Sequence, residues 1–125
     1  MAVASISLPE HYRALSEKYL KEARKFLTEG DLVQASEKLW GASALAVKSV
    51  AAKRGLKLEE HGSLWSFVNV LAIESGDKDL TTFFHVANSL HRNFYGNEMK
   101  REPVEIAAVN IEQLIAKLKR IKYSG

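Results

Sequence analysis

The segment LWGASALAVKSVAA, which spans residues 39–52, decides the fold of this chain. As a helix it is close to apolar on every side, and a stripe of small residues, Gly41, Ala44 and Ala51, follows one of those sides. A helix of this kind lies either at the centre of a bundle or against another chain. The segment therefore predicts an all-α fold whose second helix has one of these two positions.

Proline, glycine and capping residues divide the rest of the chain into helices. Pro9 favours the start of a first helix and Gly30 its end, and Asp31 is a good N-cap for the next helix. Apolar residues recur three or four apart within each segment, and no segment alternates as a strand does. This pattern predicts helices at about residues 9–29, 31–54, 63–75, 77–96 and 103–122, the last starting at Pro103.

The lengths of the connections predict how these helices are arranged. Most loops are short, so neighbouring helices turn back on each other. We expect an antiparallel four-helix up-and-down bundle in a single domain, residues 1–125, with residues 63–75 as a short additional helix.

Composition excludes several classes of function. The chain has 125 residues and no cysteine, which rules out disulfides, thiolate metal sites and a cysteine nucleophile. We expect no export signal and no membrane-spanning segment, and a cytoplasmic location suits the absence of cysteine. The net charge of +3 permits weak attraction to phosphates and is far from that of a dedicated nucleic-acid binder. We expect no cofactor, and Glu59-Glu60-His61 lacks the spacing of metal ligands.

The stretch HRNFYGN, residues 91–97, is the best candidate site, because its polar groups end a strongly apolar helical segment. On a helical wheel His91 falls within the apolar arc, whereas Arg92 shares a polar strip with His85. Arg92 and Asn97 diverge by about 140° on a straight helix. They face one pocket only if the helix unwinds after Tyr95, which the glycine at position 96 would allow.

The titratable and cationic residues of this stretch each have two interpretations. Arg92 either binds a phosphate through its two parallel N–H groups or forms a surface ion pair. His91 is either a packed core histidine or a proton-transfer group, and His85 is either a solvated histidine or an accessible acid–base group.

The remaining candidates are neutral residues and one acid. Tyr95 either stacks on a base or closes the core. Asn93 and Asn97 can hydrogen-bond a ligand but cannot transfer a proton. Glu37 falls on one side of the second helix, and if that side meets a partner chain, it would be the acid that holds Arg92.

Two motifs resemble a known family. The segment GDLVQASEKLWGA at residues 30–42 and the segment LHRNFYG at residues 90–96 resemble the signatures of the archaeal PaREP proteins, and the resemblance extends from about residue 12 to residue 121. That family resembles the wider HEPN superfamily of small helical bundles. The resemblance implies a HEPN-like fold and a homodimer. It also implies a motif of arginine and asparagine followed by a histidine, which the metal-independent ribonucleases and toxins of that superfamily use. Arg92 and Asn93 match the start of that motif, but Asn97 occupies the histidine position, and an asparagine is no general acid or base.

Three functions are compatible with these residues. The first is a nucleotide- or RNA-associated binding module in which Arg92 takes phosphate and Asn93 and Asn97 bind ribose or base, without catalysis. The second is a ribonuclease that uses Arg92 with His85 or His91. The third, which the resemblance allows, is a regulatory partner of a nucleotidyltransferase.

Overall fold

The computed structural model describes residues 7–59, 61–96 and 99–121, of which residues 61, 62 and 94–96 are described through their helical backbone alone. These ranges contain five α-helices and no strand, which confirms the all-α prediction. The helices are α1 (Leu8–Glu29), α2 (Leu32–Lys53), α3 (His61–Ser75), α4 (Asp79–Gly96) and α5 (Arg101–Lys119). Within the described ranges, none of the helices has both the length and the apolar character needed to span a membrane.

The turn between α1 and α2 has the caps that the sequence predicts. Gly30 adopts a left-handed conformation with φ of 82°, and its N–H donates to the last turn of α1. The Asp31 carboxylate then accepts a hydrogen bond of 3.1 Å from the N–H of Gln34, which caps the start of α2. At the other end of α1, Ser7 is the N-cap and Pro9 lies in the first turn.

Three helices begin two residues away from their predicted positions, and α3 starts at His61 rather than at residue 63. The structure starts α5 at Arg101, so Pro103 is the third residue of the helix and not the first. Proline costs little there, because N–H groups of the first turn have no partner within the helix. The structure starts α4 at Asp79, and the Asp77 carboxylate accepts from the Asp79 N–H at 3.0 Å.

α2 is the central helix of the fold, which is one of the two positions that the sequence predicts for it. It packs against each of the other four helices. Eleven of its residues are buried, among them Leu39 and Val47 with no exposed surface. The burial of α2 within one chain is therefore sufficient to explain its apolar composition.

The small-residue stripe of α2 is also covered from inside the chain. A Cβ atom at Gly41 would lie 2.7 Å from Cδ2 of Tyr19 on α1, so the tyrosine ring occupies the space that a larger side chain would need. Ala51 is fully buried. A second chain is not needed to cover these two positions.

Hydrogen bonds and ion pairs join the helices at several points. The Ser16 hydroxyl of α1 donates to the carbonyl of Ala42 on α2 at 2.7 Å. Ser49, near the end of α2, donates to the carbonyl of Pro9 at the start of α1 at 2.8 Å. Lys117, near the end of α5, lies 2.7 Å from the carboxylate of Asp77 just before α4.

The Lys117–Asp77 pair makes the stability of the fold depend on pH. The hydrogen bond from Lys117 lowers the pKa of the Asp77 carboxyl from its ordinary 3.8, and the Asp79 N–H lowers it further. A lowered pKa means that the pair stabilises the fold above pH 3.8 and that this stabilisation is lost as the pH falls through the folded-state pKa.

We expect Asp77→Asn to reduce the free energy of unfolding by about 0.5–1 kcal/mol at pH 7, since both side chains are partly exposed. Urea unfolding measured from pH 7 down to pH 3 should show the difference between wild type and variant shrinking with acid. The matched control is Asp79→Asn, because the Asp79 carboxylate is 3.9 Å from Lys117 and more exposed. A difference that stays constant with pH would contradict the assignment to this pair.

A candidate ligand site on the outer face of α4

The outer face of α4 carries the polar strip that the helical wheel predicts. His85, Ser89 and Arg92 are exposed, and Asn88 is half-buried beside them. His85 and Arg92 are seven residues apart, so they lie on the same face of the helix and about 10 Å apart along it. The strip therefore presents an imidazole and a guanidinium to solvent.

Arg92 is the cation of this face. Its side chain is exposed, and it makes no hydrogen bond or ion pair with another residue among those that the structure describes. A guanidinium with its N–H groups directed to solvent can bind a phosphate or carboxylate through two parallel hydrogen bonds. The surface ion pair considered as the alternative for Arg92 is not formed within the described part of the chain.

Glu37 contacts His91 and not Arg92 in this chain. The Oε2 atom of Glu37 on α2 lies 3.4 Å from Nδ1 of His91 on α4. About one third of each side chain is exposed, 34% for Glu37 and 30% for His91. With its proton on Nδ1 toward the carboxylate, the imidazole leaves Nε2 as a hydrogen-bond acceptor.

His91 lies at the rim of the core, whereas the helical wheel predicts that it points into the core. The reason is Trp40 of α2, whose indole is only 8% exposed and fills the space below position 91. The imidazole stacks on that indole, with ring centroids 5.0 Å apart and planes 30° apart. His91 is thereby held in one orientation next to Arg92 and still reaches solvent.

Asn93 is buried, with 3% of its surface exposed. Its amide N–H donates to Ser36 Oγ on α2 at 2.9 Å, and its amide oxygen accepts from the backbone N–H of Met99 at 2.7 Å. One N–H and one lone pair of the amide remain beyond these two bonds. The amide thus ties the segment after α4 to α2, and the structure does not place it on the exposed face with Arg92.

α4 ends at Gly96, the predicted last residue of this helix, so the helix does not unwind directly after Tyr95, which is the condition for Arg92 and Asn97 to face one pocket. Asn97 lies outside the described residues, and so does the side chain of Tyr95. The predicted convergence of Arg92 and Asn97 on one pocket therefore remains a prediction.

A row of aromatic rings connects the two histidines of α4, and sequence reasoning does not find it. His85 packs on Trp65 of α3, with centroids 4.6 Å apart. The ring of Trp65 meets that of Phe84 edge-on, with centroids 4.7 Å apart. The centroid of Phe84 lies 5.6 Å from that of Trp40, on which His91 stacks. The only sequence signal for this row is the pair of tryptophans, whose partners on another helix cannot be identified from spacing along the chain.

The described residues do not favour a metal centre. They contain no group of three or more histidine, aspartate or glutamate side chains placed to hold an ion. The site offers instead a cation and two imidazoles on α4, each packed on a tryptophan, and one carboxylate on α2, that of Glu37, near His91. These groups suit the recognition of a phosphate ester that carries an aromatic base.

Comparisons with known proteins agree with the helical fold. The family model described as the archaeal PaREP1/PaREP8 family matches residues 11–115. The crystal structure of a protein from Sulfolobus solfataricus is similar, with a TM-score of 0.75 and 21% sequence identity over 94% of this chain and 97% of that chain. At this level of identity the likeness shows the fold alone. No curated protein matches the chain.

Proposed function

Since the chain belongs to the archaeal PaREP1/PaREP8 family, we propose that it is a cytoplasmic, HEPN-like binding module for RNA or nucleotides. In this proposal the exposed face of α4 binds the ligand and the rest of the bundle holds that face in place. Arg92 takes a phosphate, and catalysis is absent. The module acts as a homodimer.

The bundle in this proposal is an antiparallel arrangement of α1, α2, α4 and α5, with α3 as the additional helix. The contacts between helix ends support it. Ser49 near the end of α2 bonds to Pro9 at the start of α1. Lys117 near the end of α5 pairs with Asp77 at the start of α4. Each of these contacts joins the end of one helix to the beginning of another, as antiparallel neighbours require.

The observation that supports ligand binding most directly is the exposed and unpaired state of Arg92 within the described residues. Two other exposed arginines do meet carboxylates, Arg24 with Glu112 at 3.0 Å and Arg101 with Glu105 at 3.1 Å. A guanidinium that is free of ion pairs within the described residues has the donors for a phosphate, and the exposed His85 ring on the same face offers a flat surface to a base. An open helix face suits an extended single strand, whose bases are not paired.

Absence of catalysis is proposed because the motif lacks its usual acid–base group. Asn97 stands where the motif of the HEPN superfamily, which this chain resembles, has histidine, and an amide cannot accept or deliver a proton in the transition state. Asn93, the other amide of the motif, has its bonds inside the protein and acts as a positioning residue. The face then binds phosphate esters and leaves them intact.

One observation favours metal-independent ribonuclease activity as a second candidate. His91 is held by Trp40 and lies 3.4 Å from the Glu37 carboxylate, an arrangement that orients an imidazole for proton transfer. His91 directly precedes Arg92 in the chain, so its imidazole is the candidate base for a phosphate bound by Arg92. His85, the other alternative from the sequence, packs on Trp65 and forms no ion pair with a carboxylate among the described residues.

Binding is tested with a labelled single-stranded RNA in a fluorescence anisotropy titration at low salt. We expect Arg92→Ala to weaken binding about tenfold, which corresponds to about 1.4 kcal/mol. The slope of log affinity against log salt should also fall by about 0.7, as expected for one lost phosphate contact on a single strand.

The matched control is Arg13→Ala, which removes the same charge from α1. Arg13 lines a cleft of about 480 Å³ between α1 and α2 together with Lys53, so this control also tests the other basic face. A larger loss of affinity for Arg13→Ala than for Arg92→Ala would place the RNA in that cleft and overturn the proposal. Absence of binding at low salt would favour the regulatory partner hypothesis.

Product analysis of the same RNA separates binding from cleavage. Intact RNA after prolonged incubation is the expected result. Cleavage that disappears in both His91→Ala and Arg92→Ala would establish the ribonuclease alternative. Cleavage that persists in both would eliminate His91 and Arg92 as the residues responsible for it.

A further inference from the structure

The outer stripe of α5 has a charge pattern that is complementary to itself. Six residues at three- and four-residue spacing form this stripe, and all of them are exposed: Glu102, Ile106, Val109, Gln113, Ala116 and Arg120. They fall within an arc of about 80° on the helix, because each residue advances by 100°. The stripe is acidic at its beginning, apolar in its first half and basic at its end.

The apolar part of the stripe is unusually exposed for side chains of this size. Ile106 is 56% exposed and Val109 is 55% exposed, while α5 buries a separate set of apolar residues against the rest of the protein. Its buried face includes Ile111 and Leu114, which have no exposed surface. α5 thus has two apolar faces, and only one of them is buried by the part of the chain that the structure describes.

We infer that the outer stripe of α5 is the surface through which two copies of this chain pair, with their α5 helices antiparallel about a two-fold axis near Ile111. The inference rests on the homodimer of the proposed function and names its contact surface. An isologous pairing of this kind brings each residue of the stripe against a different residue of the other copy.

The antiparallel register places opposite charges level with each other and a large side chain level with a small one. Glu102 of one copy lies level with Arg120 of the second copy, and neither residue has an ion-pair partner among the described residues of its own chain. Ile106 lies level with Ala116, so a large side chain meets a small one and the helices can approach closely. A parallel pairing would instead oppose Glu102 to Glu102 and Arg120 to Arg120, which like-charge repulsion disfavours.

The size of the stripe predicts a weak dimer. From Glu102 to Arg120 the stripe covers 19 residues and spans about 27 Å. Such a contact buries less than the roughly 800 Å² per partner of a stable interface, so we expect dimers at protein concentrations on the order of 100 µM. Two copies of the exposed α4 face would be linked in such a dimer, which raises the effective affinity for a strand long enough to reach both.

The test is sedimentation equilibrium at low salt, up to about 1 mM protein, where a weak interface of this size is populated. Wild type is expected to dimerise. Glu102→Arg alone and Arg120→Glu alone should each shift the chain to monomer by placing like charges opposite each other. The double variant Glu102→Arg/Arg120→Glu restores the complementary pattern and should restore the dimer.

Two further variants complete the test. Ile106→Arg should give monomer by placing a charge in the apolar part of the stripe, whereas Glu29→Arg, an exposed reversal on α1, should leave the dimer unchanged. A monomer for wild type at every concentration would overturn the inference, and so would a dimer that survives Ile106→Arg. RNA binding through Arg92 is measured separately on the monomeric variants, so loss of the dimer and loss of binding remain distinguishable.

Discussion

Replacing Asn93 by alanine is expected to lower the free energy of unfolding by about 2–3 kcal/mol, and to leave the intrinsic affinity of the folded protein for RNA nearly unchanged. The stability loss follows from the two hydrogen bonds of its amide, because both partners lose a bond when the amide is removed. The Met99 N–H and the Ser36 oxygen are the groups affected. Chemical unfolding followed by circular dichroism measures the first quantity, and anisotropy titration measures the second.

A double-mutant cycle identifies the source of this effect. Ser36→Ala removes the acceptor of the Asn93 amide and should destabilise by about 1 kcal/mol. The double variant should lose less than the sum of the two single losses, because both changes remove the same hydrogen bond. Full additivity would show that the Asn93–Ser36 bond does not contribute.

The affinity measurement decides between two roles for Asn93. A tenfold loss of RNA affinity in folded Asn93→Ala, equal to that expected for Arg92→Ala, would mean that the amide contacts the ligand. The structure instead assigns it to the protein interior, with 3% exposure. In the proposed function, adjacent residues of one motif have separate roles: Arg92 binds the ligand, and Asn93 holds the chain that follows α4.

The helices and their caps could be predicted from sequence because they depend on local chemistry. Gly30 takes a left-handed conformation and Asp31 caps α2, and both features follow from residue type and position. The sequence also predicts a central position for α2 as one of two alternatives, because a helix that is apolar on all sides must be buried.

Contacts between helices could not be predicted in the same way. A helical wheel gives the direction of a side chain relative to its own helix, but not the shape of the neighbour that it meets. The helical wheel therefore predicts that His91 enters the core. In the structure it stacks on Trp40, because that indole already fills the space. The cover of Gly41 by Tyr19 and the burial of Asn93 depend likewise on residues 22 or more positions away.

Phe84→Ala is expected to have the largest effect on stability of the changes considered, a loss of about 3–5 kcal/mol. Phe84 has no exposed surface and lies between Trp40 of α2 and Trp65 of α3. Removing the ring leaves a cavity where three helices meet, and the neighbours cannot close it without moving both indoles. Urea unfolding monitored by circular dichroism measures the loss.

Tryptophan fluorescence gives a second readout that a general loss of stability would not produce. The chain has two tryptophans, and both contact Phe84, so the emission of the native state reports on this cluster alone. We expect emission from folded Phe84→Ala to shift to longer wavelength as water reaches the indoles. Phe26→Ala, a change of the same kind at a half-buried position of α1, should destabilise less and leave the native emission unchanged.

The same substitution tests whether the core supports the ligand face. His85 packs on Trp65 and His91 stacks on Trp40. The positions of both imidazoles therefore depend on tryptophan rings that contact Phe84. Folded Phe84→Ala should therefore bind RNA more weakly than wild type, although Phe84 itself is buried and cannot touch a ligand. Phe84→Leu, which fills part of the cavity, should recover most of the stability and of the affinity. Unchanged affinity in Phe84→Ala would mean that the stacked histidines do not take part in binding and that Arg92 acts without them.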